Sequence, residues 1–111
     1  MEITHQEFKR CDLFKLIGRI DSATAPQFAK ALEKAVGSGK YKLVLDMSEL
    51  EYMSSAGFRA LLAAQRAAKK YNRGEVTLAS MPDRIHEAFD LAGFTELFKI
   101  FDDPLQAVGH F

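Results

Sequence analysis

Two adjacent serines, Ser54 and Ser55 in the stretch YMSSAGFRALL (residues 52–62), are the side chains best placed for chemistry. The apolar, strand-like residues end at Tyr52 and Met53. From Phe58 the pattern turns helical, with Phe58, Leu61, Leu62, Gln65 and Ala68 at matching spacing. The pair therefore stands at a helix N-terminus, where unpaired backbone N–H groups and the positive end of the helix dipole collect. Three roles fit a hydroxyl there. It caps the helix by accepting from a free N–H, it accepts a phosphate that such a terminus stabilises, or it attacks as a nucleophile activated by a base. Ala56 and Gly57 are small enough for another protein's active site to approach. A glycine in a first helical turn costs about 0.5–1 kcal/mol relative to alanine, which close approach or tight packing against a sheet would explain.

The nucleophile role lacks its base. His5, His86 and His110 fall in the first strand, in a helix and at the C-terminus, and the serines are not in a G-x-S-x-G frame. Asp46 has a rival claim, because a strand-end aspartate is the phosphate acceptor of response-regulator receivers. The acidic pair and the lysine that receivers also need are missing: Asp21 stands alone after the second strand, and Lys99 lies inside the last one. Asp46 reads instead as a strand-end residue bonding the turn that DMS opens. GSG at 37–39 lacks the G-K-[ST] of a phosphate loop, and HEAFD is not a zinc motif. The basic run AAQRAAKKYNR reads as a solvated helix end, since cations favour the C-terminal turn.

The elements that position these residues alternate. Residues 2–20 read as two strands around a turn at RCD, 10–12. LFKLIGRI also fits helical spacing, and its short length and central Gly18 favour strand. DSATAPQFAKALEKAVGSG reads as a helix capped by Ser22 or Thr24, with Pro26 in its first turn. YKLVLDM follows as a strand. Consecutive Leu43, Val44 and Leu45 predict burial on both faces and a central, parallel place. Then come a helix over 56–71, the strand EVTLAS, a helix MPDRIHEAFDLAG stopped by Gly93, the strand LFKIF at 97–101, and a short helix opened by Asp103, Pro104 and Gln106 as a capping box. The order β-β-α-β-α-β-α-β-α predicts an α/β fold with a mixed, largely parallel sheet and helices packed against it.

The 111 residues fit one domain, 1–111, and 48% apolar composition is enough for one core. Fifteen basic residues balance fifteen acidic ones, so no global field attracts nucleic acid or an anionic membrane. The one cysteine, Cys11, makes no internal disulfide, and no Cys/His spacing suggests a metal. The N-terminus lacks a signal peptide's apolar core, and no apolar run nears the roughly 20 residues of a membrane span, so a cytoplasmic protein is expected.

LVLDMSELEYMSSAGFRALLAAQRAAKK resembles the signature of the STAS domain of bacterial anti-sigma factor antagonists: an apolar strand, Asp-x-Ser, then a serine pair and Gly opening a helix. GRIDSATA and LAGFTELFKIF resemble the family's flanking segments, so the resemblance covers nearly the whole chain. It implies a non-enzymatic module without cofactor. The unmodified form would bind an anti-sigma factor that is often also a serine kinase, and so free the sigma factor. Phosphorylation would end binding, and a serine phosphatase would restore it. By motif position the acceptor would be Ser55, with Ser54 the second candidate, because the family's best-known branch carries Asp where Ser54 stands. The partner surface would comprise Asp21, Ser22, Thr24, Ser54, Ser55, Ala56, Gly57, Phe58 and Arg59. Phe58 reads either as core or as an exposed anchor. A non-phosphorylated STAS scaffold, in a stress-signalling or lipid-transport complex, is the alternative.

Overall fold

A computed structural model describes residues 1–111. Five strands form one sheet in the order β1-β2-β3-β4-β5: Glu2–Glu7, Asp12–Ile20, Lys42–Met53, Glu75–Ala79 and Ile100–Phe101. The first pair is antiparallel and every other pair parallel. The helices are α1 (Ala25–Gly37), α2 (Ser55–Lys69), α3 (Asp83–Ala92) and α4 (Pro104–His110), so the element order is the expected one. As the run of consecutive apolar residues predicts, β3 is central and parallel to both neighbours. Leu43, Leu45 and Met47 pack with Phe28, Leu32, Leu61 and Phe89 from α1, α2 and α3. The alternate residue Val44 faces the other way, against Ala79 and Ala107 of α4. No helix is long and apolar enough to cross a membrane.

Three boundaries differ from expectation. The hairpin turn closes through Phe8 N–H to Cys11 O (2.9 Å), and Asp12 already pairs in β2. The third strand does not stop at Met47 but runs on to Met53. Asp46 does bond the backbone two residues on, accepting from Ser48 N–H at 3.0 Å, as a turn-forming aspartate would. Here that bond shapes a bulge rather than ending the strand. Between Lys15↔Asp46 and Ile17↔Glu49, β3 advances three residues while β2 advances two. A second slip follows between Gly18 and Arg19. These bulges put Leu50 and Met53, three apart, both into the core.

The last strand is shorter than LFKIF promised. Only Ile100 and Phe101 pair with β4, and Thr95–Leu97 forms a 3₁₀ turn. The outer edge of β4 is therefore open at Val76, and a side chain closes it. Buried Gln65 on α2 accepts from Val76 N–H (2.6 Å) and donates to Val76 O (3.2 Å) and Leu97 O (2.8 Å). Gln65→Ala strands the two buried Val76 groups and the partly buried Leu97 carbonyl and is expected to cost about 3 kcal/mol, read as a lower urea midpoint with unchanged slope. A loss under about 1 kcal/mol would mean that water or a neighbour replaces the amide.

The lone Cys11 is buried, and burial, with nearby Asp12, pushes its thiol pKa up. This marks a structural rather than reactive cysteine.

Candidate functional site

β2 and β3 end together. Their last paired residues are Ile20 and Met53, so Asp21 and Ser54 leave the sheet side by side. Ser54 N–H donates to Ile20 O at 2.7 Å, tying the start of α2 to the end of β2. With extended φ and ψ, Ser54 occupies the cap position of α2. Its Oγ accepts from Gly57 N–H at 3.3 Å, and its carbonyl accepts from Phe58 N–H at 3.0 Å. The cap role and the neighbouring hydroxyl are thus divided between the two serines. Ser55 is the first helical residue and is exposed; no side-chain hydrogen bond engages its hydroxyl.

The segment after β2 builds the second wall. Asp21 accepts from Ala23 N–H (3.0 Å) and Thr24 N–H (3.0 Å). The Thr24 hydroxyl lies 2.8 Å from Arg19 O and 3.1 Å from an Asp21 carboxylate oxygen, and it accepts from Asp21 N–H. Neither expected side-chain cap of α1 forms. Thr24 holds the cap position but spends its hydroxyl on the preceding turn, while Ser22 is exposed. The Thr24 N–H and hydroxyl, in that order, hold the Asp21 carboxyl below its ordinary pKa of 3.8. A depressed pKa stabilises this turn above the ordinary value, and that contribution is lost as pH falls through the lowered one.

Beneath the surface, the packing of Gly57 and Phe58 sets where α2 begins. Gly57 is buried, and an added Cβ would lie 2.7 Å from Met53 Cγ and 2.9 Å from Ile20 Cγ2. Its smallness therefore serves packing against the ends of β2 and β3. Phe58 is half-buried and meets the rings of Phe89 (4.9 Å) and Phe94 (5.4 Å) edge to face. Both readings of this residue hold in part, since one side of the ring is core and the rest reaches the surface. Ala56 is half-buried and Arg59 exposed, four residues beyond Ser55. All nine predicted site residues thus lie in two segments that leave the sheet at the same end.

Arg19 and Tyr52 were not singled out by sequence. The Arg19 guanidinium lies 4.6 Å from the centre of the half-exposed Tyr52 ring at the rim of the site. Their sequence positions gave one usable signal: each stands just before its strand's exit to the site. The three histidines stay apart from the serines. His5 Nε2 lies 2.6 Å from Asp12 Oδ2, and His110 Nε2 lies 3.2 Å from Glu75 Oε1, both at the opposite end of the sheet. His86 lies on α3. No group of acidic, histidine and cysteine side chains is arranged to hold a metal ion.

Comparison with known proteins agrees with this architecture. A family model described as the STAS domain matches residues 2–107. The chain is 29% identical over 111 residues to BtrV of Bordetella bronchiseptica, a protein provisionally named an anti-sigma factor antagonist, covering all of this chain and 95% of that one. It is 28% identical over 100 residues to the anti-sigma-B factor antagonist of Listeria monocytogenes, covering 90% and 86%. Among solved structures it resembles the Bacillus protein SpoIIAA, at TM-score 0.76 and 15% identity. The unphosphorylated form is matched over 98% of this chain and 96% of that one, and the phosphorylated form over 98% of both. With its signature serines at the start of α2 and its sheet and helices in matching order, the chain belongs to the STAS domain family.

Proposed function

We propose that this STAS domain is an anti-sigma factor antagonist whose unmodified form binds an anti-sigma factor with serine-kinase activity, and that phosphorylation of Ser55 releases it. The domain acts as a binding module and kinase substrate, not as an enzyme. A serine phosphatase restores the binding form. The observation that carries this reading is the division of labour at the start of α2. Ser54 spends its oxygen on the helix cap, and Ser55 keeps an exposed, unengaged hydroxyl one residue on. A phosphate on Ser55 would face the free N–H groups of the first turn and the positive end of α2. The names of the two bacterial relatives, and the existence of a phosphorylated form of a protein with this fold, support it.

The assignment is tested with the cognate kinase and ATP. Ser55→Ala is expected to abolish labelling. Ser54→Ala keeps the acceptor and is expected to be labelled, with a loss of about 1 kcal/mol of stability from the missing cap. Undiminished labelling of Ser55→Ala would move the acceptor elsewhere.

A further inference from the structure

Zero net charge conceals a sharp division between the two ends of the sheet. At the end carrying Ser55, the connecting segments 21–24, 54, 80–82 and 102–103 hold Asp21, Asp102 and Asp103 and no cation. At the other end, segments 8–11, 38–41, 70–74 and 93–99 hold Lys9, Arg10, Lys40, Lys70, Arg73 and Lys99 against one carboxylate, Glu96. Where the flanking elements begin and end, Lys42 and Lys69 add to this end and Glu7, Asp12 and Glu75 offset part of it, which leaves eight lysines and arginines against four carboxylates. Such segregation gives a field along the strands even where the net charge is nil.

The basic end is concave. Two clefts, of about 430 and about 460 Å³, share Lys42 and Arg73 in their walls. Arg73 is a strut between them. It lies 3.9 Å from the centre of the Tyr41 ring and donates to Tyr41 Oη, Lys70 O and Ala67 O. Lys40 is held by Glu7 (2.6 Å) and Asp12 (3.3 Å), and Lys99 lies 3.7 Å from Glu75. Lys9, Arg10, Lys42, Lys69 and Lys70 have no carboxylate within ion-pair distance. Four of these, Lys9, Arg10, Lys42 and Lys69, line the two clefts, and Lys70 adjoins Lys69 in the chain; such unpaired cations repel one another and gain by accepting an anionic partner.

We propose that this basic end is a second docking surface, for an acidic polypeptide segment of a partner, engaged whatever the state of Ser55. The chemistry selects among polyanions. Four of the five free cations are lysines, compact point charges that take carboxylates without demanding a bidentate geometry. Single-stranded nucleic acid requires successive stacking platforms. Here one ring is freely exposed, Tyr71 at 80%, while Arg73 already covers one face of Tyr41. A bilayer is flat, whereas the cations line clefts. The α2 helix, 15 residues long, separates this end from Ser55 by about 22 Å, so an occupant here leaves the phosphorylation site open. The inference stands whether or not Ser55 is phosphorylated.

The test is fluorescence anisotropy of a labelled oligo-glutamate peptide against the full chain. Binding is expected to be equal for unmodified protein and Ser55→Asp. It should fall about tenfold between low and physiological salt, as screening shortens the reach of the field. The double variant Lys42→Glu/Lys69→Glu is expected to lose about tenfold or more. Lys30→Glu/Arg84→Glu, which reverses two exposed charges elsewhere, is expected to bind as wild type. Thermal melts verify that each variant is folded. Absence of binding at low salt, or equal loss in both double variants, would overturn the proposal. So would loss in Ser55→Asp, or tighter binding to oligothymidylate or to phosphatidylserine vesicles.

Discussion

Phosphorylated at Ser55, the protein is expected to bind its anti-sigma factor about a hundredfold more weakly, or less, while its fold persists. The phosphate adds about −1.5 to −2 charges at pH 7 to a hydroxyl that is exposed at the first position of α2. Asp21 leaves the sheet beside Ser54, so the added charge brings a second anion to the face a partner must cover, and it must also be desolvated as that partner approaches. About 1.4 kcal/mol is a factor of ten in affinity, so a penalty of about 3 kcal/mol suffices for the release. Within the domain itself the same charge is welcome. The first turn's N–H groups point at it, and Arg59 follows four residues on, the favourable order for an acidic–basic pair along a helix. Calorimetric titration of the anti-sigma factor with the two forms, paired with thermal melts, measures both halves. Equal affinity of the two forms would refute the switch. Weak binding with a large drop in melting temperature would mean unfolding rather than release at the interface.

The largest expected effect on stability lies at the opposite end, in Gly74→Ala. Gly74 precedes β4 and lies beside Tyr41, which precedes β3; the strands then pair from Lys42↔Glu75 onward. A Cβ at Gly74 would lie 2.2 Å from the Tyr41 carbonyl oxygen and 2.6 Å from its carbonyl carbon. Backbone cannot rotate away as a side chain does, so the entry of two central strands must part. We expect a cost of about 3 kcal/mol or more, at the upper end for overpacking, and a fall in melting temperature of about 10–20 °C. Gly37→Ala is the control. An added Cβ there meets nothing within 4 Å, and the change is expected to stay within about 1 kcal/mol. A Gly74→Ala melt within a few degrees of wild type would show that the two loops separate cheaply.

Much of this molecule is written in local patterns. Three consecutive apolar residues, Leu43 to Leu45, announced a strand covered on both faces, and burial in fact extends from Leu43 to Met47. Asp103 caps α4 by accepting from Gln106 N–H at 3.0 Å, as that spacing foretold, while the Gln106 amide oxygen accepts from Asp102 N–H, one residue before the cap N–H that a capping box would use. The helix N-terminus at the serines was legible for the same reason: strand period gives way to helix period there. Even the separation of charges was latent, because β-α alternation sends the segments after β2, β3, β4 and β5 to one end of the sheet and leaves the β1–β2 turn and the helix-to-strand segments at the other.

Other features depended on partners distant in sequence. Asp46 with Ser48 reads locally as a turn, yet β2 supplies the pairing that carries β3 past it as a bulge, while β4 pairs only as far as Asp46. LFKIF reads as a strand, but only Ile100 and Phe101 pair in register with β4, joined by the Lys99 carbonyl on Leu78 N–H, and the Gln65 side chain satisfies the edge that remains. Which serine caps and which is left free depends on a shift of a single residue in where α2 begins. Composition and periodicity are blind to that shift. The bond from Ser54 N–H to Ile20 O, and the fit of Gly57 against Met53 and Ile20, decide it, because both need the end of a strand more than thirty residues earlier in the chain.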